Sequence, residues 1–209
     1  MFKIPVILIG LLATISLIAQ QPKHPLAAYG AVWNEPKYAA CNTATGAKYM
    51  TPAEKEVIYI MNLMRQYPQQ FLNLVVKNWP DSSYRTYWKD NTYYTSLLTD
   101  LQKMKPAPLL LPDSVLWVSA SCHAKTSGLA GYVGHQRQTP DCKSKERFLG
   151  ECCDYGSSKP LDIVMSLLID EGVESLGHRK ILMENRYTGT AVSIMPHKKY
   201  GTNAVINFR

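Results

Sequence analysis

The sequence has no run of lysine and arginine residues, although its formal net charge is +7 over 209 residues. The densest basic positions are the pair Lys198-Lys199 and the spaced Lys143 and Lys145. Proteins that bind nucleic acid normally concentrate their positive charge in a patch or stripe. The scattered charge therefore argues against a nucleic-acid partner and predicts a solvated basic surface, with at most weak attraction to anionic membranes or envelopes.

Long apolar runs are also scarce, and the run at residues 163–169 contains a serine within an amphipathic pattern. At the N-terminus, Lys3 precedes an apolar stretch over residues 6–18. This stretch is short for a membrane-spanning helix and is typical of a signal-peptide h-region. We predict a signal peptide over residues 1–19, ending at Ala19, with a retained N-terminal anchor as the alternative. The mature protein is then secreted or periplasmic, without stable membrane insertion.

Two common metal-site patterns are missing, namely the C-x-x-C spacing of cysteine ligands and the helical H-E-x-x-H pattern of metallopeptidases. An odd number of cysteines cannot all pair within one chain. We expect a disulfide between Cys142 and either Cys152 or Cys153, and buried free thiols are the alternative. The five cysteines are Cys41, Cys122, Cys142, Cys152 and Cys153.

A capping box marks the start of the main domain. Residues 20–50 show no sustained periodicity and are predicted to be an N-terminal extension or linker. Thr51-Pro52-Ala53-Glu54 then combines a capping box with a proline at the first helical position. Apolar residues follow at the spacing of one helical face, at positions 57, 60, 61 and 64. We therefore assign residues 51–209 to one domain.

The rest of the sequence predicts helices followed by strands. Further helices are predicted over residues 71–77 and 96–105, from the Asp113 cap to Ser127, and from Pro160 to a stop at Gly172. Residues 79–94 are predicted to be an aromatic loop. Residues 190–195 and 204–208 have strand patterns, joined by a turn region at 196–203. Helices with late strands and no βαβ repeat predict an α+β sandwich.

Two histidines share a local context. His135 follows Gly134 and His178 follows Gly177, where we expect each glycine to let the backbone bend just before the imidazole. Glu151 lies between them in a short extended segment. Imidazole is a good zinc ligand, and a carboxylate can complete the ligand set or orient it. The two histidines share no diagnostic spacing, so these residues alone give only a candidate pairing.

Three motifs in order strengthen that pairing: Gly-His-Gln-Arg from residue 134, Gly-Glu-Cys-Cys-Asp-Tyr-Gly from residue 150, and Leu-Leu-Ile-Asp-Glu-Gly-Val-Glu-Ser-Leu-Gly-His-Arg-Lys-Ile-Leu from residue 167. The series resembles the signature of CAP domains, also described as SCP-like extracellular domains. They include cysteine-rich secretory proteins, antigen 5 and pathogenesis-related proteins. The similarity covers roughly residues 51–208. It implies an α/β/α sandwich, with helices flanking a small, mostly antiparallel sheet.

The same resemblance implies a cleft that two histidines and two acidic residues line, and that holds a divalent metal in several members. The matching residues here are His135 and His178 as metal ligands and Glu151 as the motif glutamate. Asp170 or Glu171 falls near the second acidic position. We expect zinc as the ion. The chain departs from the family pattern after Glu151, where it carries a cysteine in place of the usual asparagine.

Three functions are compatible with these residues. The first is a non-catalytic, monomeric binding module whose cleft holds the metal and a small lipid or peptide ligand. The second is a metal-assisted, peptidase-like hydrolase with Glu151 as general base. The third is a thiol enzyme that pairs Cys152 or Cys153 with one of the two histidines. Structural roles are predicted for His24, His123 and His197, and for Arg179 as an ion-pair partner of Asp170 or Glu171.

Overall fold

We describe the protein from a computed structural model that covers residues 24–79 and 85–209. The predicted signal peptide, residues 1–19, lies outside these described residues. Within them, none of the helices has both the length and the apolar character needed to cross a membrane.

The described residues form helices on both sides of a small sheet. The helices are α1 (Pro52–Gln66), α2 (Pro68–Leu74), α3 (Arg85–Asp90), α4 (Thr92–Lys103), α5 (Ser114–Ala130), α6 (Pro140–Ser144), α7 (Pro160–Ile169) and α8 (Gly177–Met183). The strands are β1 (Leu111–Pro112), β2 (Gly150–Tyr155), β3 (Gly189–His197) and β4 (Gly201–Phe208). Short 3-10 helices occupy Ala27–Tyr29, Ala31–Asn34, Pro36–Cys41 and Val76–Asn78.

The strand order is β1-β3-β4-β2, with β1 parallel to β3 and the other pairs antiparallel. Successive residues of a strand point to opposite faces of the sheet. Cys152 and Ile206 pack in the core that α1 and α7 cover, whereas Cys153 and Val205 pack against Ala120 and its neighbours on α5. Helices therefore cover both faces, which confirms the predicted α+β class and its three layers.

Local sequence signals place several helix ends. Thr51 Oγ1 accepts from the Glu54 backbone N–H at 3.3 Å, and Glu54 Oε2 accepts from the Thr51 N–H at 2.7 Å, as the capping box predicts. The Asp113 carboxylate caps α5 by accepting from the N–H of Val115 and Leu116. Gly131 ends α5 in the left-handed conformation, with φ 67°.

Two helix predictions are wrong. The aromatic stretch predicted as a loop contains α3 and the start of α4, because Asn91 caps α4 through the Tyr94 N–H. In addition, α7 ends at Asp170 and not at Gly172, since Asp170 adopts the left-handed conformation that terminates the helix, with φ 58°. The turn between β3 and β4 is also shorter than predicted, and spans only residues 198–200.

The segment predicted as an extension contributes to the main hydrophobic core over its described part, residues 24–50. Leu26, Trp33 and Tyr38 are fully buried there. Tyr38 donates a hydrogen bond to Gln70 at 2.8 Å, and Asn62 of α1 donates to the Cys41 carbonyl at 3.0 Å. The hydrogen bonds and ring contacts of these described residues reach α1, α2, α5 and the Leu110 region, and none reaches the predicted cleft residues.

Candidate functional site

The fold brings the two predicted metal-ligating histidines together. His135 lies in the loop between α5 and α6, and His178 lies in the first turn of α8. Their ring centroids are 6.1 Å apart, with an angle of 41° between the rings. The His135 side chain is 56% exposed and the His178 side chain 20% exposed. Both imidazoles therefore reach solvent from one place on the surface.

Each imidazole is held by a carboxylate through the same ring nitrogen. His135 Nδ1 lies 3.0 Å from Glu151 Oε1, and His178 Nδ1 lies 2.7 Å from Asp170 Oδ1. An ionised carboxylate can only accept, so Nδ1 carries the proton in each ring. In the neutral imidazole Nε2 then holds the lone pair, and neither Nε2 has a hydrogen-bond partner among the described residues. Carboxylate-oriented histidines of this kind are the usual ligands of protein-bound zinc.

Glu151 is surrounded by donors. Arg137 binds both of its oxygens, with Nη1 at 2.9 Å from Oε1 and Nη2 at 2.6 Å from Oε2. Asn207 faces Glu151 across β2 and β4, and its amide donates to Oε2 at 2.8 Å in the orientation that satisfies its neighbours. Burial opposes ionisation of Glu151, but the bonds from His135 and Arg137 outweigh it and lower the pKa of the carboxyl.

These contacts bear on the predicted catalytic role of Glu151. A carboxylate has about four lone-pair sites, and His135, Arg137 and Asn207 occupy them with four donors. A general base needs a free site for the proton that it takes and a pKa near the working pH. The geometry favours Glu151 as the residue that orients His135. Sequence reasoning missed Arg137, whose only signal was its place two residues after His135.

The backbone before His135 is fixed from three sides. Gly134 has φ 125°, and an added Cβ would lie 2.9 Å from the Tyr132 hydroxyl. Its N–H donates to the Tyr155 hydroxyl at 2.9 Å, and its carbonyl accepts from His123 Nε2 at 3.0 Å. Glycine is therefore required here, as the sequence predicts. Before His178 the predicted bend falls instead on Leu176, which is left-handed with φ 51°.

A disulfide brackets the loop that carries His135. It joins Cys122 of α5 to Cys142 of α6, so the predicted pairing of Cys142 with Cys152 or Cys153 is wrong. The physical reason is burial: Cys152 and Cys153 are enclosed between the sheet and the helices on opposite faces, and both are free thiols, as is Cys41.

Replacing both Cys122 and Cys142 with serine is expected to lower the free energy of unfolding by about 3 kcal/mol. The bond closes a loop with a sequence separation of 20, which limits the freedom of the unfolded chain. Urea denaturation of the variant and of the oxidised parent measures the difference. Replacement of the free, buried Cys41 by alanine is the control, because it removes a thiol without opening a covalent loop. A loss below about 1 kcal/mol in the double variant would contradict the prediction.

Asp170 organises the other half of the site. Its Oδ2 accepts from the backbone N–H of His178 at 2.9 Å and of Arg179 at 3.3 Å, so it caps α8 from the end of α7. Its Oδ1 holds the His178 ring. The left-handed backbone at Asp170 is uncommon outside glycine, asparagine and aspartate. One residue thus ends a helix, starts another and orients an imidazole.

Glu171 and Arg179 lie outside the two imidazole–carboxylate pairs. Glu171 is exposed and accepts from Asn91 at 2.6 Å and from the Tyr87 hydroxyl, and it does not contact either site histidine. The Arg179 side chain is buried and pairs with Asp100 at 2.9 Å, so the predicted pairing with Asp170 or Glu171 is wrong. Its other N–H groups donate to the Leu168, Ile169 and Tyr93 carbonyls. Arg179 therefore fixes the end of α7 from which Asp170 reaches His178.

The remaining histidines have structural contacts. His197 is buried, with Nε2 at 3.0 Å from the Tyr132 carbonyl. His24 packs on Trp33 and Tyr59. His123 is fully buried, and its Nδ1 has no hydrogen-bond partner among the described residues.

The geometry does not favour the thiol-enzyme hypothesis. Cys153 Sγ lies 3.8 Å from His135 Nδ1, which is the nitrogen that binds Glu151. A base that activates a thiol needs one ring nitrogen for the thiol and the other for its orienting acid. Burial also raises the pKa of the Cys153 thiol. Cys152 is fully buried, and its Sγ lies 3.8 Å from the His178 carbonyl, away from both imidazole rings' free nitrogens.

Two other groups of metal-ligating side chains lie within 4.8 Å of one another among the described residues. The first contains Cys122 and Cys142, whose sulfurs form the disulfide and so offer no thiolate to a metal. The second is His123, Glu151 and Cys153, which is buried throughout. In it Glu151 is already saturated by donors and the thiol is held neutral. The exposed pair His135 and His178 is therefore better suited to take an ion from solvent.

A buried carboxylate that the sequence did not single out lies close by. Asp154 is 3% exposed, and its Oδ2 has no hydrogen-bond partner among the described residues. Burial raises the pKa of Asp154 above its ordinary value of 3.8, against the opposing effect of the nearby Ser166 and Ser157 groups. An ionised, buried carboxylate lowers the stability of the folded state.

Asp154→Asn is therefore expected to gain stability relative to the parent as the pH rises from 3 to 7. Because the pKa of Asp154 is raised in the folded state, its favourable contribution to the free energy of unfolding is complete below pH 3.8, its ordinary pKa. That contribution is lost as the pH rises through the folded-state pKa. Asparagine does not titrate. Urea denaturation at several pH values measures the difference between the two proteins. A difference that stays constant, or that moves towards the parent with rising pH, would contradict the assignment.

Comparison with solved structures gives a distant similarity. No protein-family model and no curated protein sequence matches the chain. The fold is similar to the crystal structure of an extracellular protein containing a SCP domain from Bacillus anthracis str. Ames, with 18% sequence identity and a TM-score of 0.38. The match covers 70% of this chain and 49% of that one, so it spans about half of that protein's length. A similarity of this size does not establish a family.

Proposed function

We propose that the chain is an exported, CAP-type binding module whose cleft holds one divalent metal between His135 and His178. The observation that carries the proposal is the matched pair of imidazoles, with ring centroids 6.1 Å apart and each Nδ1 held by a buried carboxylate. This arrangement leaves two Nε2 lone pairs for one ion. The ordered CAP-like motifs are the support for the family assignment and for export.

Zinc fits these residues better than calcium or magnesium, because it prefers nitrogen ligands and the hard ions prefer oxygen. His135 and His178 would hold it, and Glu151 and Asp170 would orient them from behind. When bound, the ion supplies a Lewis acid that polarises a ligand atom. The metal-assisted hydrolase remains the second hypothesis, but the saturated Glu151 gives it no general base, so we propose a binding role. Besides the metal, the cleft would bind a small molecule, such as a lipid, or a peptide segment.

Calorimetric titration of the chelator-treated protein with zinc tests the metal site. We expect one zinc per chain. The His135→Ala/His178→Ala variant should bind zinc at least about 100-fold more weakly, since loss of an orienting partner alone costs about 10–100-fold. It should keep its cooperative unfolding, because both rings reach solvent.

The control is His24→Ala, which removes a histidine outside the cleft and should leave zinc affinity unchanged. Equal zinc binding in the double variant would overturn the proposed site. An unfolded double variant would show that the histidines support the fold, and the single variants would then be titrated in its place.

A further inference from the structure

A groove with a volume of about 550 Å³ opens beside His178. We call it the acidic groove and define it by its four carboxylates and three aromatic rings. The carboxylates belong to Asp154, Asp162, Asp170 and Glu171, and the rings to Trp79, Trp88 and Tyr155. It is distinct from the two imidazole Nε2 atoms of the proposed metal site, although Asp170 and His178 contribute to both.

The acidic groove carries negative charge that no lysine or arginine among the described residues neutralises. Of its four carboxylates, only Asp170 forms an ion pair in the described part of the chain, and that pair is with His178. Asp162 and Glu171 accept hydrogen bonds from neutral groups, the Trp79 indole and the Asn91 amide. The chain as a whole has a formal net charge of +7. A concentration of unpaired carboxylates on a basic protein attracts cations locally.

Asp154 is the clearest sign of a missing partner. Its Oδ2 is buried and has no hydrogen bond within the described residues, and burial raises the pKa of the carboxyl. A buried polar atom without a partner destabilises the fold by about 1–3 kcal/mol, so native proteins contain few of them. A positively charged group bound in the acidic groove would offset the charge of this carboxylate.

The aromatic rings of the acidic groove restrict the class of ligand that it can bind. The Trp79 and Trp88 rings lie 5.8 Å apart at 56° and form a corner. Indole faces attract organic cations more strongly than other aromatic side chains do. A metal ion gains little from these rings and an anion is repelled by the carboxylates. A neutral apolar ligand would leave the carboxylates unpaired. Carboxylates beside indoles therefore select a cation that also carries apolar surface.

We propose that the acidic groove binds an organic cation, an ammonium or guanidinium group on a short apolar or aromatic body. The charged group lies against Asp154 and Asp162, and the apolar body lies in the corner between the two indoles. This inference rests on the proposed binding role and names its ligand class. It does not require the metal, so the two proposals fail separately.

Calorimetric titration in the presence of EDTA tests this proposal. The probe is phenethylamine, which is a cation at pH 7, and its neutral counterpart of similar shape is 2-phenylethanol. We expect the amine to bind about tenfold more tightly or better, with an affinity that falls as salt is added. Capped lysine and capped arginine amides form a second arm, which separates a free amine from a basic peptide side chain as the source of the cation.

Variants locate the binding. Asp162→Asn keeps an acceptor for the Trp79 indole and removes one charge, so the fold should be retained. Asp162→Asn and Asp154→Asn should each weaken the amine about three- to tenfold, and Trp88→Leu by a similar factor. Glu35→Gln is the matched control, since it removes the same charge from an exposed pair with Lys37 and should change nothing. Equal binding of alcohol and amine, no binding of any cation, or insensitivity to both aspartate variants would overturn the proposal.

Discussion

Replacing Arg137 with methionine is expected to lower the free energy of unfolding by about 3–5 kcal/mol. The Arg137 side chain has no exposed surface and the Glu151 side chain is only 2% exposed, so their charges are removed from water together. Methionine fills a similar volume but leaves Glu151 buried with only His135 and Asn207 as donors. Breaking one side of a buried pair is far more destabilising than removing both sides. Urea denaturation at pH 7 measures the loss.

The pH dependence identifies Glu151 as the cause. In the parent protein the lowered pKa of Glu151 stabilises the fold at pH values above 4.5, its ordinary pKa. This stabilisation is lost as the pH falls through the pKa of Glu151 in the folded state. In Arg137→Met the buried carboxylate has lost its arginine, so the difference in unfolding free energy between variant and parent should be widest at neutral pH and should narrow in acid. A gap that is below about 1 kcal/mol, or that does not change with pH, would contradict the role of this pair.

Two controls accompany that measurement. Arg147→Met removes an exposed arginine that donates to the adjacent Glu146 carbonyl, and we expect a change within about 0.5 kcal/mol. The double variant Arg137→Met/Glu151→Met removes both buried charges and should recover much of the stability lost in Arg137→Met.

Replacing Asp170 with alanine is expected to weaken zinc binding about 10–100-fold and to lower the free energy of unfolding by about 1–2 kcal/mol. The two effects have separate causes. Oδ1 holds the His178 ring at 2.7 Å, and Oδ2 caps α8 through the His178 N–H at 2.9 Å. Alanine removes both contacts and is also disfavoured in the left-handed conformation at this position.

Asp170→Asn separates the two roles of this side chain. Asparagine tolerates the left-handed backbone and can still accept from the α8 N–H groups, so most of the stability should be retained. It cannot offer an ionised oxygen to His178, so zinc binding should still weaken. Zinc calorimetry and urea denaturation of both variants make the comparison. Full zinc affinity in Asp170→Ala would show that the carboxylate does not orient His178.

Local sequence signals predicted much of the framework. The capping box at Thr51, the Asp113 cap of α5 and the strand patterns at residues 190–195 and 204–208 depend on residues close in sequence, and each matches the structure. The loop prediction for residues 79–94 rests on composition alone, and composition does not show where a helix begins. There the Asn91 cap determines the helix.

Long-range partners could not be predicted in the same way. The sequence placed His135, Glu151 and His178 in one cleft only through the CAP-like motifs. Residues alone gave no reason to join Cys122 to Cys142, because both cysteines belong to helices whose packing is set by the sheet. The bond from Asn207 to Glu151 depends on the register of β2 with β4. Asp154 lies within the second motif, but its burial follows from the packing of the sheet, which local sequence does not reveal.

X-ray absorption at the zinc edge of the zinc-loaded protein tests whether His135 and His178 ligate the ion. We expect nitrogen and oxygen ligands at about 2.0–2.1 Å, with the outer scattering of two imidazole rings and no sulfur. The imidazole scattering should fall in the His178→Ala variant. A sulfur ligand at about 2.3 Å would contradict the proposed site, because it would place the ion at Cys153 in the buried cluster with His123 and Glu151.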